Sequence, residues 1–319
     1  MRVVLSLFVV LLVGCGLGLS SRPDRADTAE KGKVASSSKP DGGGAFATST
    51  EPVRPLQGVD TVRLSAERKQ AFWDVASRLY APCTDQAVTL VQCVEQDRPC
   101  GGCLPMANLL AEQVERGAAR ANAAAAATLR FSPDAVKAVP LRNSPTKGPA
   151  SAPVTIVVFS DFECLACGAT VPLLSEIADK YPNDLRLVHK YFPLSKHQRA
   201  RPAAKAAFAA QKQGKYWAME KMIFENQSAL SDEDLDRYAE KVGLEMAQYR
   251  ADKASTEADE TITRDIADGD AAGLTHTPYV MVNGRLFDPT YFRYDRDLEP
   301  WIATEKKLLQ ASAAKAATP

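Results

Sequence analysis

Residues 154–167 read Val-Thr-Ile-Val-Val-Phe-Ser-Asp-Phe-Glu-Cys-Leu-Ala-Cys, and the fold turns on them. Val154–Phe159 is a short continuous apolar run rich in β-branched residues, the pattern of a strand buried on both faces. Ser160–Glu163 then turns the chain, and from Cys164 the spacing becomes helical. Val171, Leu174, Ile177 and Ala178 share a face, with a stop near Tyr181-Pro182. Two cysteines are thereby expected on the first turn of a helix fed by a buried strand. First-turn N–H groups lack intrahelical partners, and the positive end of the helix dipole favours an anion there. That anion is expected to be a Cys164 thiolate, with a pKa below the free value of about 8.5. Cys167, one turn on, can reach the same sulfur to form or resolve a disulfide. This is thiol–disulfide exchange chemistry.

A Cys-x-x-Cys pair is also half of a zinc site. The chain has three histidines, His189, His197 and His276, none spaced as a ligand pair, and no further cysteine lies in this half. No metal is expected here; an inert structural disulfide is the blander alternative.

With 319 residues, 45% of them hydrophobic, the chain can hold one large domain plus a smaller one. Formal net charge is zero and the basic residues are dispersed, so nucleic acid is not an expected partner. The apolar run Val3–Val13 is too short to span a bilayer and fits the core of a signal peptide. It ends in Leu12-Val13-Gly14-Cys15, which resembles a bacterial lipobox, implying lipidation at Cys15. An ordinary cleaved signal is the alternative. Gly16, where inner-membrane lipoproteins would carry Asp, points toward outer-membrane sorting. Either route exports the protein to an oxidising compartment, the periplasm. Residues 16–60 are rich in Ser, Gly, Pro and charge, and are expected to form a disordered tether reaching roughly 35–40 Å.

Cys83, Cys93, Cys100 and Cys103 fall within a helical stretch, residues 61–132. Ser65 is its expected first N-cap, and a later helix is expected to start near Pro105, a good first-turn residue. Three readings stay open for these cysteines: two disulfides stapling a small module, a four-cysteine zinc site of uncommon spacing, or a second redox pair at Cys100-Gly-Gly-Cys103. Export favours structural disulfides, and a helical hairpin favours the nested pairing Cys83–Cys103 with Cys93–Cys100. The two glycines disfavour a helical turn through the motif, so it is expected to lack the dipole that activates Cys164.

Beyond the Cys164 helix, Asp184–Tyr191 alternates as a second strand, which implies a right-handed parallel unit. Several helices follow, with an aromatic and Met cluster at 216–224 expected in the core. Tyr279–Val282, the turn Asn283-Gly284 and Arg285–Phe287 form a hairpin, and Asp297–Leu309 a final helix.

From about Ala152 to Leu309 the chain resembles the DsbA-like branch of the thioredoxin superfamily. The resemblance rests on Phe-Ser-Asp-Phe-Glu-Cys-x-x-Cys at 159–167, Tyr-Phe-Pro-Leu at 191–194 with His197, Gln213-Gly-Lys-Tyr-Trp217, and Gly273-Leu-Thr-His-Thr-Pro278. It implies an α/β thioredoxin fold with an inserted helical domain, here preceded by the small cysteine-rich helical module. The expected organisation is a signal segment 1–15, a linker 16–60, the module 61–132, and a domain 133–312 with its insertion at about 199–272. The resemblance also implies Cys164 as exposed nucleophile, Cys167 as buried partner and Pro278 as a cis-proline facing them. Thr277, Leu165 and Ala166 would border the substrate.

The dipeptide Leu165-Ala166 departs from many relatives, which carry Pro first and His, Phe or Tyr second. Neither side chain can donate a hydrogen bond to the sulfur, so a couple less oxidising than the strongest family oxidants, near about −120 mV, is expected. Asp161 and Glu163 are either proton relays or first-turn carboxylates completing the helix start. His276 is a loop residue beside Thr277-Pro278. The function implied is an exported, lipid-anchored thiol–disulfide oxidoreductase without a cofactor. Its partners would be cysteine-containing exported proteins and a membrane redox partner for recycling. A reductase or isomerase, or a non-catalytic thioredoxin-fold binding module, is the rival.

Overall fold

The central strand is β2 (Val154–Ser160), whose alternate side chains enter two different cores. Ile156 and Val158 join one with Leu174, Leu187 and Val282, while Val157 and Phe159 join the other with Val188, Tyr279 and Met281. β3 (Leu185–Tyr191) pairs with it in parallel, from Val154 opposite Leu185 to Ser160 opposite Tyr191. β4 (Tyr279–Val282) runs antiparallel on the other side, with Phe159 opposite Tyr279. β5 (Arg285–Leu286) returns from the Asn283-Gly284 turn, and β1 (Thr146–Lys147) caps the β3 edge. The sheet order is β1-β3-β2-β4-β5.

This computed structural model describes residues 46, 48–85, 87–98 and 100–316, which pack as one unit. The expected signal segment, Cys15 and the linker as far as residue 45 lie outside the described residues. No described helix is long and apolar enough to cross a membrane.

Four helices precede the sheet: α1 (Ala66–Ala76), α2 (Leu90–Glu95), α3 (Cys103–Glu115) and α4 (Arg120–Phe131). Ser65 caps α1 by accepting from the Arg68 N–H, and Thr89 closes a capping box with Gln92 on α2. Two expectations need correcting. The disordered tether does not run to residue 60, because Leu56 and Val59 are buried with Leu64, Phe72 and Trp73. The Ser49 N–H also donates to Asp74 Oδ1 at 2.6 Å. A composition average over 45 residues hides two well-spaced apolar anchors at its end. The second is that α3, the helix expected near Pro105, starts at Cys103, so the Cys100-Gly-Gly-Cys103 turn leads directly into a helix despite its glycines.

The connection between β2 and β3 is α5 (Leu165–Lys180), with Cys164 as its N-cap. Its buried face is Cys167, Thr170, Val171, Leu174, Ile177 and Ala178. Between β3 and β4 come α6 (Ala200–Lys212), α7 (Tyr216–Phe224), α8 (Asp232–Lys241), α9 (Met246–Lys253) and α10 (Thr256–Ala271). Alanines 203, 206, 207 and 210 on α6 are fully buried and let its neighbours approach closely. Lys190 of β3 is also fully buried, with Nζ at 2.8 Å from Asp265 and 2.9 Å from Asp268, both on α10. That ion cluster ties the insertion to the sheet.

α11 (Tyr294–Ala316), longer than the expected 297–309, joins the helical module to the sheet domain. Arg130 of α4 forms a buried ion pair with Glu305, donates to the Trp301 carbonyl at 3.2 Å and lies 4.1 Å over the Trp301 ring. Ala126 of α4 belongs to the main core.

Candidate active site

The end of β2 and the start of α5 set the two cysteines at different depths. Cys164 is half-buried at the N-cap, Leu165 is 79% exposed, Ala166 is exposed, and Cys167 is fully buried in the core. Helical spacing puts both sulfurs at the same end of α5. The loop before β4 lies across from them: Cys164 Sγ donates to the Thr277 carbonyl at 3.4 Å, and the Thr277–Pro278 bond is cis. Thr277 is buried and its Oγ1 has no hydrogen-bond partner among the described residues.

Electrostatics separate the pair. The Cys164 pKa is drawn down to about 5, first by the adjacent Cys167 thiol and then by the N–H groups of Cys167 and Ala166. These outweigh the opposing effect of burial. Cys167 is pushed well above the usual thiol range, first by burial and then by the neighbouring Cys164. One sulfur is thus an accessible thiolate at neutral pH, and the other is a protonated thiol held beside it. The two sulfurs are distinguished by depth and by the helix terminus.

Asp161 builds the turn that delivers Cys164. Its buried carboxylate accepts from the N–H groups of Glu163 at 2.7 Å, Cys164 at 3.2 Å and Leu194 at 2.7 Å. His197 Nδ1 lies 2.9 Å away, and the Asp161 N–H points to Cys167 Sγ at 3.4 Å. With its oxygens so engaged, Asp161 is placed to hold the turn. Glu163 accepts from the Arg199 N–H and so fastens the same turn to the start of α6. His276 has Thr275 and the Tyr279 ring as its partners.

Gln227 completes the frame and was not singled out from the sequence. Its Nε2 donates to the carbonyls of Phe162 at 2.9 Å and Cys164 at 3.0 Å, bridging the insertion to the start of α5. Gly168 makes room for it, since a Cβ there would come within 2.2 Å of Gln227 Oε1. Nothing local marks Gln227; the nearest signal is an isolated glycine one residue after Cys167.

Below the turn, Phe162 stacks on His189 at 5.8 Å, and Ser160 Oγ lies 2.5 Å from His189 Nε2. Burial depresses His189 to about 3 and raises Glu220, 3.9 Å from it, to about 8. Both are therefore neutral at pH 7. A cavity of about 700 Å³ between α3, α4 and α11 includes neither Cys164 nor Cys167.

In the cysteine-rich module the bridges are Cys83–Cys100 and Cys93–Cys103, an interleaved pairing. The nested pairing expected from a simple hairpin is corrected: α2 and α3 each carry one buried cysteine, Cys93 and Cys103, and these face each other.

Residues 141–299 match the family model described as Thioredoxin. The Na(+)/H(+) antiporter NhaA 3 of Salinispora tropica is 37% identical over 140 residues, 44% of this chain and 21% of that protein. The Na(+)/H(+) antiporter NhaA 1 of Salinispora arenicola is 36% identical over 146 residues, 46% and 22% of the two chains. The chain thus spans about a fifth of the length of these curated relatives. Among solved structures, a thioredoxin-like oxidoreductase from Silicibacter pomeroyi is 27% identical, with a TM-score of 0.47, 52% of this chain covered and 94% of that one. Oxidised BdbD from Bacillus subtilis is 18% identical, with a TM-score of 0.47 and coverages of 54% and 97%. Residues 141–299 thus carry the thioredoxin-like fold of that family, with α6 to α10 inserted between β3 and β4.

Proposed function

We propose that the protein is an exported thiol–disulfide oxidoreductase acting on cysteine-containing exported proteins through Cys164 and Cys167. The observation that carries this reading is the asymmetry of the pair: a half-exposed Cys164 at the N-terminus of α5, in contact with Thr277, above a fully buried Cys167.

In the oxidising direction a substrate thiolate attacks Cys164 of the Cys164–Cys167 disulfide, and Cys167 leaves as a thiolate that takes up a proton. A second substrate thiolate then attacks the substrate-side sulfur of the mixed disulfide. The substrate leaves oxidised and Cys164 departs as a thiolate, the better leaving group of the pair. In the reducing direction Cys164 attacks a substrate disulfide and Cys167 resolves the intermediate. The exposed Leu165 and Ala166 and the Thr277-Pro278 backbone border the position of the incoming strand. Cys15 supplies a lipid anchor in this reading, and a membrane redox partner recycles the pair.

Trapping tests the proposal. Cys167→Ala is expected to accumulate a mixed disulfide with a reducible substrate protein through Cys164, released by dithiothreitol. Cys164→Ser is expected to form none and to lose disulfide turnover. Full turnover by Cys164→Ser would leave a binding module as the better reading.

A further inference from the structure

The four sulfurs of the helical module meet at one point. Besides the two bridges, Cys83 Sγ lies 3.3 Å from Cys93 Sγ and 3.6 Å from Cys103 Sγ, and Cys100 Sγ lies 3.4 Å from Cys103 Sγ. All four are within 4.8 Å of one another. A disulfide that only staples acts through the loop it closes, and two staples have no need to touch. A tetrahedral metal thiolate site does need this convergence. Zn–S bonds of about 2.3 Å place neighbouring sulfurs about 3.8 Å apart, close to the contacts between the bridges.

The surrounding chain fits thiolates as well as it fits bridges. A Cβ on Gly102 would meet Pro82 at 2.8 Å, so the loop carrying Cys83 rests directly on the Cys100-Gly-Gly-Cys103 turn. Cys103 is the first residue of α3, and no side chain caps that terminus, so the positive end of the helix dipole lies at the cysteine cluster. Ala81, Val88 and Val94 pack around the cysteines and keep their surroundings apolar. Cys93 and Cys103 are buried, Cys83 is half-buried and Cys100 is exposed, so a reductant meets Cys100 first.

We propose that Cys83, Cys93, Cys100 and Cys103, when reduced, bind one zinc ion, and that the paired disulfides and the zinc tetrathiolate are two states of one redox-gated site. Two equivalents of a dithiol reductant deliver four electrons and four protons to the bridges and depart as two disulfides. The resulting four thiols lose four protons to water as Zn²⁺ binds, and the ion keeps its oxidation state. Reoxidation by a disulfide or quinone-linked oxidant removes four electrons from the sulfurs and expels the ion. The uncommon cysteine spacing that disfavours zinc on sequence grounds is accommodated because α2 and α3 each deliver a cysteine to the same point.

The test uses the full chain carrying Cys15→Ser, Cys164→Ser and Cys167→Ser, so that only the module cysteines can act as ligands. After anaerobic reduction with a phosphine, Co²⁺ is added and then displaced by Zn²⁺. The expected result is one ion per chain by elemental analysis, a thiolate-to-cobalt charge-transfer band with tetrahedral d–d bands, and no such signal in the oxidised protein. Adding Cys93→Ser is expected to weaken binding more than about tenfold. Far-ultraviolet circular dichroism serves as the second readout: any helicity lost on reduction should return with zinc. A reduced protein lacking the charge-transfer band, or one whose lost helicity zinc does not restore, overturns the proposal and leaves the bridges as staples.

Discussion

Cys164 Sγ lies 3.4 Å from the carbonyl oxygen of Thr277, the residue immediately before Pro278. The protonated thiol can donate to that carbonyl, whereas the thiolate cannot. Ionisation of Cys164 therefore frees a backbone acceptor beside the sulfur, which in the proposed reaction could receive an N–H of an extended substrate.

Alkylation kinetics should report that ionisation. With its pKa near 5, Cys164 is expected to react with iodoacetamide at a rate that rises through about pH 5 and levels off before pH 7. Cys167, buried and raised, should stay unmodified in the folded protein. The linkage sign is that of a depressed acid. The reduced fold gains stability over the unfolded chain above the ordinary thiol value of 9.0 and loses that gain as pH falls toward 5. An alkylation midpoint near the ordinary thiol value would count against the site geometry.

The reduction potential follows from the same thiolate. A nucleophile near 5 lies between the thioredoxin value of about 7 and the DsbA value of about 3.5. The Cys164/Cys167 couple is expected between about −270 and −120 mV, measured against glutathione by mass spectrometry of the active-site peptide. Ala166→His, which adds a donor beside the sulfur, should shift it upward by at least about 30 mV, a tenfold change in equilibrium constant. An unchanged potential would mean that the dipeptide does not tune this couple.

Asp161→Ala is expected to cost about 2–4 kcal/mol in denaturant unfolding, because three half-buried N–H groups lose their acceptor together. Gln227→Ala should cost less, about 1–2 kcal/mol, and slow substrate turnover by loosening the start of α5. Equal, negligible effects of both would show that the turn holds without them.

Glu220→Gln tests the buried acid. Burial raises this carboxyl from 4.5 to about 8, so its contribution favours the fold below pH 4.5 and is lost as pH climbs through 8. The amide keeps the shape without titrating. At pH 9 the variant is expected to melt at least about 2–4 °C above the parent, the shift that 1 kcal/mol produces in a chain of this size. At pH 4 the two should melt together.

Much of the site was legible because its signals are local. The run Val154–Phe159, the switch to helical spacing after Cys164 and the Asn283-Gly284 turn each declare themselves within a few residues. Gln227 escaped because its partners lie 63 and 65 residues away and a lone glutamine carries no pattern. Lys190 is a charged residue that no local pattern marks as buried; α10, arriving with Asp265 and Asp268, makes its burial tolerable. β1 is two residues long and is a strand only because β3 is there to pair with it. The interleaved bridges depend on how α2 meets α3, which spacing along the chain does not specify.

The Arg130–Glu305 pair also sets where the polypeptide can be cut. A fragment starting after α4 would strand a buried carboxylate, uncover the Trp301 face of α11 and open a hole where Ala126 sits in the main core. α4 is thus a wall of the sheet domain although it precedes that domain in the chain, and any transplant of the domain must bring a replacement for it.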